Sequence, residues 1–318
     1  MLLDVTDLSI SFKSIYGYAK ILDNVSLNIK KGEIVGVVGE SGSGKSVTAL
    51  SILGLLANNA SVDGGSIVYA GQDLLQLKEK DIQKLRGKEI SMVFQEPMTA
   101  LNPTMKIGKQ LANVIRKHRG VSKKEAMAIA IQSLRDVQIP DPEAVAVKYP
   151  FQLSGGMRQR VVIALAMSAP PNLLIADEPT TALDVTVQDE ILKLMKKLTE
   201  EKGTSILFIT HDLGVVSQLC DRVYVMYGGK IVESGLTKEV LYQSKHPYTK
   251  GLIESIPENK NKNMPLKVIE GDAFNPKNRP MGCIFYDRCP LRSDQCQSAP
   301  PISHFGDNHW AACWEVVK

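Results

Sequence analysis

Gly39-Glu40-Ser41-Gly42-Ser43-Gly44-Lys45-Ser46 matches the pattern G-x-x-x-x-G-K-[ST], whose chemistry is the binding of a phosphate chain. Its glycines let successive backbone N–H groups curl toward one anion, and the first turn of a following helix adds partial positive charge. Lys45 is then placed to reach the outer phosphates, and Ser46 offers a hydroxyl to Mg²⁺. A second chemical pair is Asp177-Glu178, which ends the apolar run Leu173-Leu174-Ile175-Ala176. Beside a phosphate loop, adjacent acids at the carboxyl end of a buried strand have separate uses: one holds the metal's water shell and the other orients or deprotonates a water. Gln95 and His211 also follow apolar runs that end in polar residues. Leu153-Ser154-Gly155-Gly156-Met157 opens a helix, with Ser154 as N-cap and the glycine N–H groups bare for a second anion.

Such residues need strands to carry them. Glu33 to Val38 is apolar and β-branched and predicts the strand entering the phosphate loop; Val47 to Leu56 predicts the helix leaving it. Residues 3 to 12 and Ile21 to Lys30 predict two strands joined around Gly17. Tyr16, near that turn, either lies against a planar ring or is a half-exposed hairpin tyrosine. Ser66 to Tyr69 predicts a short strand before a turn at Gly71, and Ile90 to Phe94 a buried one that leaves the sheet at Glu96-Pro97. Ile107 to Arg119 and Lys123 to Val137 carry apolar residues at helical spacing, which predicts a helical insertion at about 96–160. Ser205 to Thr210 predicts another buried strand, with His211-Asp212 at its end. Val223 to Met226 and Lys230 to Glu233 predict a hairpin through Gly228-Gly229. The pattern is that of an α/β fold.

At 318 residues the chain has room for one large domain and an appendage, or for two domains, and its 44% hydrophobic and 23% charged content is that of a soluble globular protein. A net charge of +4 is too small to argue for nucleic acid. The longest apolar run, Arg160 to Ala169, is cut by Pro170-Pro171, so no segment approaches the ~18 residues of a membrane span. With no signal-peptide pattern at the start, the expected compartment is the cytoplasm.

Of the five cysteines, Cys220 stands alone and reads as a small buried residue, while Cys283, Cys289, Cys296 and Cys313 form C-x₅-C-x₆-C-x₁₆-C. In a reducing compartment this clustering points to metal before disulfides. The short C-x₂₋₄-C spacings of zinc knuckles do not occur, and four thiolates on long loops can wrap a larger object. Spacing alone leaves iron–sulfur cluster, zinc, and free or paired thiols open. The segment opens with a polar linker at Glu258 to Asn263 and is poor in apolar residues, so a structural metal staple is the expected device.

Over roughly residues 1–255 these motifs, in this order, resemble the ATP-binding subunit of an ABC transporter. The resemblance makes the 39–46 loop a Walker A motif and Gln95 the Q-loop. Leu153 to Met157 becomes the LSGGQ signature with Met157 in place of Gln, Asp177-Glu178 the Walker B pair, Ala182-Leu183-Asp184 the D-loop and His211 the switch histidine. Phe94-Gln-Glu-Pro-Met-Thr-Ala-Leu-Asn-Pro103, Tyr149-Pro-Phe-Gln-Leu-Ser-Gly-Gly-Met-Arg-Gln-Arg160 and His246-Pro-Tyr-Thr249 narrow it to the dipeptide/oligopeptide (and nickel) importer branch.

The resemblance implies a P-loop ABC ATPase core over 1–255, with an antiparallel β subdomain and a helical subdomain, and a small metal-stapled extension over 256–318. It implies that Tyr16 stacks on adenine and that Gly39 to Val47 bind ATP. Ser46, Gln95 and Asp177 hold Mg²⁺, Glu178 polarises the attacking water and His211 binds the γ-phosphate. It further implies a 4Fe-4S cluster on Cys283, Cys289, Cys296 and Cys313, with Zn²⁺ as the alternative. Implied partners are a second, related but different ATPase chain closing head to tail, two membrane permease subunits and, indirectly, a solute-binding protein. The expected place is the cytoplasmic face of the membrane, with di- or oligopeptides as cargo and nickel or another solute as alternative. An ABC-type ATPase acting on nucleic acid or ribosomes is the remote alternative, since the chain has neither a second cassette nor a long coiled coil. A P-loop kinase would have no use for the 153–157 signature.

Overall fold

The computed structural model describes residues 1–15, 17–181, 183–256 and 268–317. Its strands are β1 (Leu3–Ser14), β2 (Gly17–Ile29), β3 (Ile34–Val38), β4 (Ala60–Tyr69), β5 (Gln72–Asp73), β6 (Ile90–Val93), β7 (Leu173–Asp177), β8 (Ser205–Thr210), β9 (Arg222–Tyr227), β10 (Lys230–Leu236), β11 (Ile302–His304) and β12 (Trp310–Ala312). The chain divides into two compact units. The first holds residues 1–30, 34–77 and 209–318, and the second 31–33 and 78–208.

In the first unit, β2-β1-β4-β5 make an antiparallel sheet. β4 is longer than its sequence predicts, running from Ala60. Its polar, glycine-containing half is held by backbone pairing to β1, from Phe12↔Ala60 to Leu3↔Tyr69, so neighbour pairing overrides weak local propensity. A second set runs β11-β12-β10-β9-β3. β3 and β9 are parallel, and β3 is buried along its whole length, as a strand covered on both faces must be. The β9–β10 hairpin turns through Gly228 (φ 53°) and Gly229 (φ 80°), a left-handed pair that glycine adopts without steric cost.

In the second unit β6 and β7 pair in parallel. The helix Ile107–Arg119 buries Ile107, Leu111 and Ile115 and ends at left-handed Gly120. Lys123–Asp136 begins where the Ser122 hydroxyl accepts from the Glu125 N–H at 3.2 Å. Both follow the predicted spans within a residue.

The extension departs most from expectation. Its β12 adds to β10 through Glu233↔Ala311 and Ser234↔Trp310. Phe285, almost fully buried, meets the rings of Tyr227 at 5.1 Å, Tyr248 at 5.4 Å and His246 at 5.8 Å. Arg279 pairs with Asp23 at 2.9 Å, and His309 Nε2 lies 2.8 Å from Glu233 Oε1. Among the described residues no group of three His, Cys, Asp or Glu is placed to hold a metal ion, and apolar burial with paired charges does the fastening. The linker Glu258 to Asn263 lies outside the described residues.

His246 caps the helix Pro247–Glu254, its Nδ1 accepting from the Tyr248 N–H at 3.1 Å. Burial pushes its pKa down to about 4, against an upward pull from Glu233 and a further downward push from Lys250. An unfolded histidine titrates near 6.5. Between those values the unfolded chain therefore binds a proton that the fold refuses, and stability falls as pH drops from about 6.5 to about 4. The expected loss from this group is about 3 kcal/mol. Urea unfolding at pH 7 and pH 4 measures it, and His246→Asn, which keeps a capping side chain, should flatten the dependence.

Candidate nucleotide site

The phosphate loop lies in the first unit. It leaves β3 at Val38 and runs into the helix Lys45–Ile52, whose N-cap Gly44 has φ 108°. A Cβ on Gly39 would stand 2.0 Å from the Met226 carbonyl oxygen, so only glycine lets the chain pass β9 there. The Gly229 N–H donates to Ser43 O at 2.9 Å, which braces the loop from the β9–β10 turn. Lys45 is buried, and its ammonium donates to Gly39 O at 2.7 Å and Glu40 O at 2.9 Å. The cation is thus curled into the concavity of its own loop. Ser41, Gly42 and Ser46 are exposed, Ser43 is buried and Val47 half-buried. His211 is exposed at the end of β8, and Asp212 beside it caps the next helix through the N–H groups of Gly214 and Val215. Tyr16 lies outside the described residues.

The second unit holds most of the remaining residues that the sequence singles out. Asp177 is buried at the end of β7, and Glu178 follows with φ 46°, a left-handed backbone strained for a non-glycine residue. Gln95 Nε2 donates to Glu178 Oε2 at 3.3 Å, and the Thr181 hydroxyl donates to the same oxygen at 2.9 Å. Ser154 caps the helix Gly155–Met167 by accepting from the Met157 N–H at 3.3 Å, while Leu153 is buried beneath. That cap leaves the N–H groups of Gly155 and Gly156 at the open end of the helix. Asp184 caps the helix Val185–Lys202 through the Val187 N–H at 3.0 Å. A Cβ on Gly156 would stand 2.7 Å from a Val187 methyl, so the signature and the D-loop helix pack closely. Ala182 lies outside the described residues.

Sequence reasoning missed Thr181 and Arg288, and it read Tyr248 only as part of the His246-Pro-Tyr-Thr249 run, not as a partner of Glu40. Thr181 follows the acidic pair by three residues, a usable signal. Tyr248 and Arg288 act on Glu40 from far along the chain, and that long-range pairing is what no local pattern announces.

Cys283, Cys296 and Cys313 are buried and Cys289 is half-buried; none is in a disulfide. Burial pushes the Cys283 thiol up to about 11, with a Phe285 N–H on its sulfur working downward and the other three cysteines working upward. Burial also raises Cys289 and Cys313, whose sulfurs accept from the N–H groups of Leu291 and Glu315. The other three cysteines thus each work against ionisation of Cys283. Cys220 is a buried thiol pushed well up by desolvation, the inert residue expected.

Residues 22–181 match the family model described as ABC transporter, and residues 232–296 match the oligopeptide/dipeptide transporter C-terminal region. The probable D,D-dipeptide transport ATP-binding protein of Escherichia coli is 52% identical over 314 residues, covering 98% of this chain and 96% of that protein. The oligopeptide transport ATP-binding protein of Salmonella typhimurium is 44% identical over 318 residues, 100% of this chain and 95% of that one. Among solved structures, the post-hydrolysis dimer of an ATP-binding cassette bound to ADP and phosphate is similar at TM-score 0.66 and 30% identity, covering 74% of this chain and 98% of that one.

Proposed function

The chain belongs to the ATP-binding subunits of the ABC transporter family, and from that premise we propose that it hydrolyses ATP to power import of di- or oligopeptides through partner membrane permease subunits. The observation that carries the reading is the 39–46 loop, whose buried ammonium is curled onto two of the loop's own carbonyls at the head of a helix, an arrangement that no other ligand chemistry explains as well as a phosphate chain. The family of the C-terminal region supports a peptide cargo.

In this reading the loop cradles the phosphates. Lys45 exchanges its two carbonyl partners for phosphate oxygens, and Tyr16 stacks on the adenine. Ser46, Gln95 and Asp177 are hard oxygen donors that suit Mg²⁺, which neutralises charge on the transferring phosphoryl group. Gln95 donates to Glu178 from Nε2 and keeps Oε1 for that metal. Glu178 orients the water whose oxygen attacks the γ-phosphorus as the bond to the ADP oxygen breaks, and His211 binds the γ-phosphate. The bare N–H groups of Gly155 and Gly156 serve the ATP of a second, related ATPase chain arranged head to tail. Asp184 lies at that same face. Among the described residues no helix is long and apolar enough to cross a membrane, which suits a subunit bound peripherally to permeases at the cytoplasmic face and served indirectly by a solute-binding protein.

Cys283, Cys289, Cys296 and Cys313 are the thiols that would hold a 4Fe-4S cluster, which would supply positive charge to offset the mutual repulsion of their thiolates. Protein purified without oxygen should carry about four irons and four sulfides per chain, lost in Cys289→Ser. Stoichiometric zinc without sulfide would replace the cluster by a zinc site.

Reconstitution with the permeases, partner ATPase and binding protein tests the whole reading. Peptide should stimulate hydrolysis and accumulate in the vesicles, and stimulation by nickel alone would reassign the cargo.

A further inference from the structure

The second residue of the phosphate loop is held from outside the loop. Arg288, at the end of the short turn Tyr286–Arg288, donates from Nη1 to Glu40 Oε2 at 2.6 Å and from Nη2 to Glu40 Oε1 at 3.2 Å. Such a bidentate guanidinium–carboxylate pair fixes orientation as well as charge. The guanidinium is itself aimed: Nε donates to Glu270 O at 3.1 Å, Nη2 to Ile269 O at 3.2 Å, and Nη1 reaches the Tyr227 hydroxyl at 3.5 Å. Its side chain is 8% exposed. The Glu40 N–H donates to the hydroxyl of fully buried Tyr248 at 2.9 Å. Backbone and side chain of Glu40 are therefore both fixed by residues that lie beyond the β9 strand in sequence.

The charge arrangement has a purpose. A carboxylate within a loop that receives phosphates repels them, and a partly desolvated guanidinium in a bidentate pair cancels it more completely than water would. We propose that Arg288 is a positioning residue of the nucleotide site: through Glu40 it holds the phosphate loop in its anion-receiving shape and neutralises the loop's carboxylate, so that the C-terminal extension sets the affinity for ATP. This rests on the reading of residues 39–46 as the nucleotide site.

Equilibrium binding of a fluorescent ATP analogue to the full chain tests it. Arg288→Gln should raise Kd about tenfold, the scale of one lost charge-assisted contact, with the loss falling on KM before kcat. Arg288→Lys should lie between, since it keeps the charge and loses the fork. Adding Glu40→Gln to Arg288→Gln should recover much of the affinity by removing the uncompensated charge. Arg279→Gln breaks the extension's pairing with Asp23 instead; it should lower the melting temperature and leave Kd alone. Arg288→Gln binding within twofold of the natural chain overturns the proposal, as does Arg279→Gln weakening binding equally. If Arg288→Gln fails to fold, the Lys variant and Glu40→Gln on the natural background decide it: both leaving Kd unchanged overturns the proposal. Lys45→Ala separates the two layers, because retained binding there removes the nucleotide site itself, whereas lost binding there beside an innocuous Arg288→Gln removes only the role of Arg288.

Discussion

Glu178→Gln should bind ATP as tightly as the natural chain and hydrolyse it about 100- to 1,000-fold more slowly. The side chain ends a buried strand and is held by Gln95 and Thr181 on a single oxygen, Oε2. Glutamine keeps the length and can present its carbonyl oxygen to both donors, so the left-handed backbone at this position and the β7 strand need not move. What it loses is a negative, basic oxygen to draw a proton from the attacking water as the phosphoryl group transfers. Binding should be left intact because in the proposed site the phosphates are held by the 39–46 loop and Lys45, which the substitution does not touch. Phosphate release under single-turnover conditions, read beside equilibrium binding of a fluorescent ATP analogue, checks both halves. Wild-type hydrolysis would remove Glu178 from its role, and lost binding would show that it holds nucleotide as well as orienting water.

The parts that chemistry and burial both mark were legible in the sequence. β3 and β7 read as continuous apolar runs because their strands are buried throughout, and the phosphate loop read as itself because eight positions and both flanks agree. The helices over Ile107–Arg119 and Lys123–Asp136 announce themselves by period, and Ser154 by its capping position. What escaped depends on distant partners. β11 and β12 are three residues each and carry little strand propensity; they exist because β10 offers a free edge. Glu40 looked like a variable position of the loop pattern, and its partner Arg288 looked like one more charge in a polar tail 248 residues later. The extension seemed too poor in apolar residues to hold itself. One phenylalanine placed among three rings, two ion pairs back to the body and the His309–Glu233 contact supply what composition could not reveal.

Glu233→Ala should cost about 4 kcal/mol of stability, the scale of breaking a buried, multiply bonded polar group. Glu233 is fully buried on β10. Its Oε1 accepts from the Lys245 N–H at 2.7 Å and meets His309 Nε2 at 2.8 Å, while Oε2 accepts from the His246 N–H at 2.9 Å. One side chain therefore closes the turn that starts the Pro247–Glu254 helix and fastens the segment that leads into β12. Alanine leaves two backbone donors and a ring nitrogen facing a dry void, and adds the cavity left by the lost carboxyl. Glutamine keeps one acceptor oxygen of nearly the same shape, so Glu233→Gln should lose about half as much. Denaturant midpoints for the two variants measure the ordering, and limited proteolysis locates it. Cleavage should appear first between residues 298 and 312, where β12 has lost its anchor, before the phosphate-loop unit as a whole gives way. A loss under about 1 kcal/mol for the alanine variant would mean that water replaces the carboxyl without penalty, and that the extension is held by its other contacts, among them the Phe285 rings and the Arg279 and Arg288 pairs.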